Sequence, residues 1–225
     1  MNVGVFQTQL GAVWQTIIDL GLDWDRTWHP DYSLSGATYF RHLTYVDIWK
    51  TCLREQFYDF QLIDNSLIQF RVLNFSPLSA TYVYYECPFR CVSYFEFLAN
   101  EGFDYAEVRD ELSAEYDLYV TTTCDLKETV TPIRCDFSPE LYNEGLHPAS
   151  HIHFGHSNQI RVGTKKVLRP LSFLLFILRQ CYPQSWQKFV ASANAELMCR
   201  NVRDNLDDVE GKYFQTLDQW EMSLI

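Results

Sequence analysis

The sequence predicts an α+β fold: a mainly antiparallel sheet of about five to seven strands, with helices at the N-terminus, mid-chain and C-terminus packing on it. Three observations predict it. Apolar residues recur at steps of three and four near both ends of the chain and at steps of two in the middle, which are the signatures of helix faces and strand faces. The two-residue runs are separated by short turn signals, the mark of antiparallel hairpins. Hydrophobic residues make up 47% of the chain, with 14 Tyr and 16 Phe, so a strand-rich packed core is expected and disorder is not. The 225 residues are read as a single domain, 1–225, with a mostly helical part over 1–57, a sheet with inserted helices over 58–163 and C-terminal helices over 170–225.

Taken in order, Val5, Phe6, Leu10, Val13, Trp14, Ile17 and Ile18 line one face of a first helix, and Gly21 is placed to stop it. The stretch 23–40 mixes Trp24, Trp28 and His29 with the turn formers Pro30, Asp31, Ser33 and Gly36 and reads as an irregular connection. Residues 39–57 fit either a helix or a strand followed by a helix. Three antiparallel strands follow, at 59–64, 67–75 and 80–87, separated by Asn65-Ser66 and by Ser76-Pro77. Alternation in the second puts Leu67, Gln69, Arg71 and Leu73 on one face and Ile68, Phe70 and Val72 on the other. Gln69 and Arg71 then lie on a solvated face or line a shallow cleft. The stretch 91–103 reads as a helix closed by Gly102, and 104–116 as an acidic helix entered at Asp104. A strand pair is expected around 118–123 and 130–137. Two helices broken near Tyr182-Pro183 complete the chain.

Charge and cysteine usage narrow the classes. With 18 basic against 29 acidic residues the net charge is -11, which opposes sequence-independent attraction to nucleic acid phosphates. A local basic site, in the run Arg161, Lys165, Lys166 and Arg169, is the place where nucleic acid or a nucleotide could still bind. Seven cysteines, an odd number at uneven spacing, form no disulfide framework and point to a reducing cytoplasm. Cys87 and Cys91 read as buried small hydrophobes. No apolar run is long enough to span a bilayer, and no membrane association is expected.

Four of the six histidines fall between His147 and His156. His151 and His153 are two apart and therefore share one strand face, with Ile152 and Phe154 on the other. His156 sits in a turn formed with Gly155, Ser157 and Asn158, and a return strand over 159–162 brings Arg161 back across it. Arg134 and Asp136, also two apart, share a face of the preceding strand. If the strands are neighbours, a carboxylate, two or three imidazoles and a guanidinium converge. His147, His151, His153 and Asp136 suit a divalent metal, zinc or manganese, which acidifies bound water. Alternatively His151 and His153 act metal-free as general base and acid, with Arg161 or Arg134 neutralising phosphoryl charge. His29, isolated before Pro30, carries no role.

The block 131–186 resembles the bacterial family catalogued as domain of unknown function 2290. The likeness rests on the Arg134-x-Asp136 strand, the His147-Pro148 and His151-x-His153-x-Gly155 core, Arg161 on the return strand and the closing Tyr182-Pro183. The chain departs from the family pattern at Cys135, often Tyr there, and at Gly163, often Pro. The resemblance implies a soluble bacterial protein of mobile-element or phage-defence systems, with a nucleic acid or nucleotide target suggested by that setting. Two function classes follow: a nuclease-like hydrolase of a phosphodiester or nucleotide built on the histidines, or a non-catalytic acidic subunit that binds a partner protein through its Tyr- and Trp-rich surface.

Overall fold

The computed structural model describes residues 1–27, 40–156 and 160–220. His29 and the turn residues Ser157 to Gln159 lie outside them. Helix α1 (Val3–Asp19) starts at Asn2, whose side chain accepts the Val5 N–H, and buries Phe6, Leu10, Val13 and Ile17. Gly21 and later Gly102 take positive φ of 66° and 84° just past their helices, the left-handed stop that glycine adopts without a Cβ clash.

The irregular connection expected over 23–40 begins instead with a strand, β1 (Asp23–Arg26), which pairs with β2 (Phe60–Leu62) through a bulge. Turn-forming Asp23 and Asp25 hid it; pairing at the sheet edge, the Tyr58 hydroxyl donating to Asp25 and Trp24 packed on Tyr94 hold the segment extended. The ambiguous stretch that follows is a helix, α2 (Tyr45–Arg54), capped by the Thr44 hydroxyl. Strands β3 (Leu67–Phe75) and β4 (Leu78–Tyr85) form the hairpin expected from the alternation.

After β4 come β5 (Phe89–Arg90), α3 (Tyr94–Glu101), α4 (Tyr105–Val108), α5 (Ser113–Thr122) and β6 (Asp125–Leu126). Ser93 and Glu96 form a capping box on α3. The single acidic helix expected over 104–116 is broken at Arg109, which has φ 44°. The strand expected at 118–123 is the last turns of α5. There Tyr116 and Val120, one helical turn apart, are both buried, and the Thr121 and Thr122 hydroxyls bond back to the carbonyls of Asp117 and Leu118. Burial at the 3.6-residue period outweighs the strand preference of Val and Thr.

Strands β7 (Ile133–Phe137), β8 (Ser150–Phe154) and β9 (Val162–Gly163) finish the main sheet, ordered β1-β2-β3-β4-β7-β8-β9 with every neighbouring pair antiparallel. Strand β9 begins later than the return strand expected from 159, so Arg161 stands one residue before it. Strand β10 (Lys166–Val167) pairs with β11 (Asp207–Asp208) beyond the C-terminal helices. Those helices are three rather than two: α6 (Pro170–Cys181), α7 (Pro183–Val190) and α8 (Ala195–Asp204). The second break, at Ser192 to Asn194, carries no Pro or Gly to announce it.

The two faces of the sheet have different fates. Phe60, Ile68, Phe70, Tyr82, Ile133, Cys135 and Ile152 point to one side and are covered by α1 and α6. Phe173 of α6 lies edge-on to Phe70, with ring centroids 6.0 Å apart. On the other side α2 roofs one end, where Trp49 and Cys52 pack with Leu67. Beyond that roof the face carries polar groups: Gln69, Arg71, Thr81, Arg134, Asp136, His151 and His153. No helix among the described residues is long and apolar enough to cross a membrane.

Candidate functional site

Strand register assembles the site. Asp136 on β7 pairs with His151 on β8, and Arg134 pairs with His153. Alternation sends all four side chains to the polar face, while Ile152 and Cys135 anchor the same strands in the core behind them. The rigid support is therefore the sheet's own apolar side.

Three donor atoms converge. His151 Nε2 and His153 Nε2 are 3.0 Å apart, and Asp136 Oδ2 is 3.7 Å from the first and 3.5 Å from the second. A tetrahedral ion with bonds of about 2.0–2.1 Å requires ligand atoms about 3.3–3.4 Å from one another, and the three observed edges bracket that spacing. Among the described residues this is the one group of three or more such donors close enough to share a metal.

Hydrogen bonding sets the proton positions. His151 Nδ1 lies 2.8 Å from the Pro148 carbonyl, which can only accept, so His151 is assigned its proton there and presents a lone pair at Nε2. Fixing a ligand histidine through its second nitrogen is the usual support of a metal site. That lone pair faces His153 Nε2 within hydrogen-bond distance. Burial pushes the His151 pKa down to about 4, against the attraction of Asp136. Burial alone would raise Asp136, but the His153 hydrogen bond, the Arg134 charge and the Thr81 hydroxyl together hold it below the ordinary carboxylate value. At neutral pH the group is a carboxylate beside a neutral imidazole, the protonation state that metal ligands need. Solvent reaches it past Arg134, whose side chain is 48% exposed and whose Nε donates to Asp136 Oδ2 at 2.8 Å.

The remaining sequence-predicted residues take other places. His147 is not in the donor triad. Its ring meets that of His151 edge to face at 4.9 Å, and its Nδ1 is buried without a hydrogen-bond partner; the bridge that pairs His147 with Asn143 holds it behind His151. His156 is exposed and its ring lies 5.6 Å from that of Tyr45. Arg161 is half-buried, with an unpartnered Nε. The basic run after it is largely neutralised: Lys166 pairs with Asp208 at 2.7 Å and Arg169 with Asp207 at 3.1 Å, while Lys165 lies over the Phe214 ring. The acidic segment near the C-terminus thus covers the site expected for phosphates, and sequence distance concealed that pairing.

Thr81 was missed; it reaches Asp136 from β4. Arg71, expected on a solvated face or lining a shallow cleft, stands one strand further on, opposite Thr81. Only the cross-strand register reveals either, although the alternation of β3 had already placed Arg71 on this face. Two large surface clefts lie elsewhere. One, of about 410 Å³, runs beside α8, and the other, of about 820 Å³, lies between β1, α2 and α5 with Asp25 and Asp117 in it. Donor chemistry, not volume, singles out the histidine site.

The family model described as Uncharacterized conserved protein (DUF2290) matches residues 23–215. The chain belongs to the DUF2290 family. The matched region holds the whole main sheet and every residue of the site, whereas all of α1 precedes it. No curated protein and no solved structure matches the chain.

Proposed function

We propose that this DUF2290 protein is a metal-dependent hydrolase of phosphate esters, acting on a phosphodiester or nucleotide, with zinc or manganese held by Asp136, His151 and His153. The observation that carries the reading is the triad itself: two buried imidazole nitrogens and a carboxylate oxygen with mutual distances of 3.0, 3.5 and 3.7 Å. A bound divalent ion there supplies Lewis acidity and a water whose pKa falls towards neutrality. Arg134 keeps Asp136 ionised and oriented, and Arg161 adds positive charge to offset that on phosphoryl oxygens. A bacterial cytoplasmic setting, in mobile-element or phage-defence systems, belongs to the same proposal; the free thiols support its reducing compartment alone.

Metal analysis of purified protein, paired with hydrolysis of a phosphodiester and nucleotide panel, tests it. One zinc or manganese per chain is expected, with loss of metal and a fall in turnover of at least about a hundredfold in His153→Ala, and an unchanged far-ultraviolet circular dichroism spectrum. Retained turnover in that folded variant sinks the proposal. Turnover without metal that still depends on His153 supports paired-imidazole acid–base catalysis in its place.

A further inference from the structure

We infer that Arg71 and Arg161 are two arms of a subsite for a terminal, dianionic phosphate, set on either side of the Asp136, His151 and His153 triad. The inference rests on the hydrolase reading and deepens it by naming which kind of phosphate the site holds.

The arms follow from register. Arg71 on β3 pairs with Thr81 on β4, Thr81 with Asp136 on β7, Asp136 with His151 on β8, and His151 with Gly163 on β9. These five residues form one cross-strand row, roughly 19 Å from end to end at the usual strand spacing. The metal-ligand residues occupy its middle. Arg71 is its first member, and Arg161 lies just beyond its far end, one residue before Val162, which pairs with Ile152 between the two ligand histidines.

Their side chains stand apart from the ion pairs around them. Elsewhere on the sheet and its flank, cations meet carboxylates: Arg134 with Asp136, Lys166 with Asp208, Arg169 with Asp207. Arg71 and Arg161 are half-buried, and each has a buried Nε with no hydrogen-bond partner. Neither is paired with a carboxylate among the described residues. His147 Nδ1, against His151, is a third unpartnered buried nitrogen on this side. The Nε of Arg169 is unpartnered too, but its guanidinium is already held by Asp207. Buried donors are ordinarily satisfied, so a gathering of unsatisfied ones calls for an acceptor. Tyr85 feels Arg71 and, from the other side, Arg134 and Asp136, and Cys52 of α2 feels Arg71 as well, so Arg71 stands between the α2 roof and the triad's strand neighbours.

Charge selects the ligand class. With the one carboxylate already matched by Arg134, an ion and two guanidiniums without a carboxylate partner leave a marked positive excess. A terminal phosphate brings two charges and three unesterified oxygens, enough for a metal and two forked donors. An internal phosphodiester brings one charge and two such oxygens. The overall charge of -11 repels polyanions at long range, which suits capture of a single phosphate terminus over tracking along a nucleic acid backbone.

The test is calorimetric titration of the purified full chain with inorganic phosphate and with dimethyl phosphate, a singly charged diester, in wild type, Arg71→Met, Arg71→Lys and Arg161→Met. Zinc content and thermal midpoint are measured on the same samples. Phosphate is expected to bind at least about tenfold more tightly than dimethyl phosphate, and each Met variant to weaken phosphate by about tenfold or more. Arg71→Lys should fall between wild type and Arg71→Met. Because the Met variants remove an unsatisfied buried group, their thermal midpoints should hold or rise, which a structural arginine would not allow. Equal binding of the two anions, no phosphate binding by wild type, or a lowered midpoint in Arg71→Met with phosphate affinity intact overturns the inference. Zinc binding answers separately: phosphate bound through Arg71 without stoichiometric zinc retains the subsite and removes the metal reading.

Discussion

At the scale of single residues, the site is defined by which groups are forced to be neutral and which to be charged. His151 is 1% exposed, and its pKa falls to about 4 from the ordinary imidazole value near 6.5. The unfolded chain therefore binds a proton at this position before the folded one does. Its contribution to stability is complete above about pH 6.5 and is lost as the pH falls through about 4. Asp136, held below its ordinary value, acts in the same direction at still lower pH. Chemical denaturation of metal-free protein between pH 7.5 and 4 should show stability falling with acid from about pH 6.5 downward. In His151→Asn that part of the slope should disappear. A wild-type profile flat to pH 4.5 contradicts the buried neutral imidazole. Much of this site was legible in the sequence: His-x-His and Arg-x-Asp spacings put four side chains on strand faces before any coordinates. What the letters did not hold was the register that joins Thr81 and Arg71 to them, or the Asn143 bridge that sets His147 apart.

At the scale of elements, β8 is a strand with two jobs on two faces. Ile152 is 2% exposed in the core under α6, while its neighbours carry the donors. Ile152→Ala should cost about 2–5 kcal/mol of folding stability and leave the metal affinity of the folded protein within about twofold. His153→Ala should do the reverse. Denaturation midpoints and metal titrations on the two variants check this, and equal losses of both properties in both would deny the division of faces. Elements were legible where periodicity and caps agreed, as in α1, the β3–β4 hairpin and α3. They were misread where local preference opposed tertiary packing. Val120, Thr121 and Thr122 favour a strand, yet Tyr116 and Val120 have to share a buried helix face. Asp23 and Asp25 favour a turn, yet β1 is held by pairing with β2. The split between α7 and α8 has no breaker residue to mark it.

At the scale of the whole molecule, the sheet works as a partition. One side is sealed by α1 and α6 around Phe70, Tyr82 and Phe173; the other is roofed by α2 over its β2–β3 end and carries the polar row from Arg71 to β9. The acidic excess sits largely outside that row and neutralises Lys166 and Arg169 through Asp207 and Asp208, leaving local positive charge concentrated at Arg71 and Arg161. The α+β class and the antiparallel sheet followed from the spacing of apolar residues. The charge layout did not, because it depends on the contact between residues 166–169 and 207–208 across three intervening helices. The central claim, that the triad is a metal centre, is tested most directly by X-ray absorption at the zinc edge of protein loaded with one equivalent of zinc. The expected spectrum has two imidazole nitrogens and oxygen ligands at about 2.0–2.1 Å, reduced to one imidazole in His153→Ala. A sulfur shell at about 2.3 Å, or zinc that does not bind at one equivalent, contradicts it.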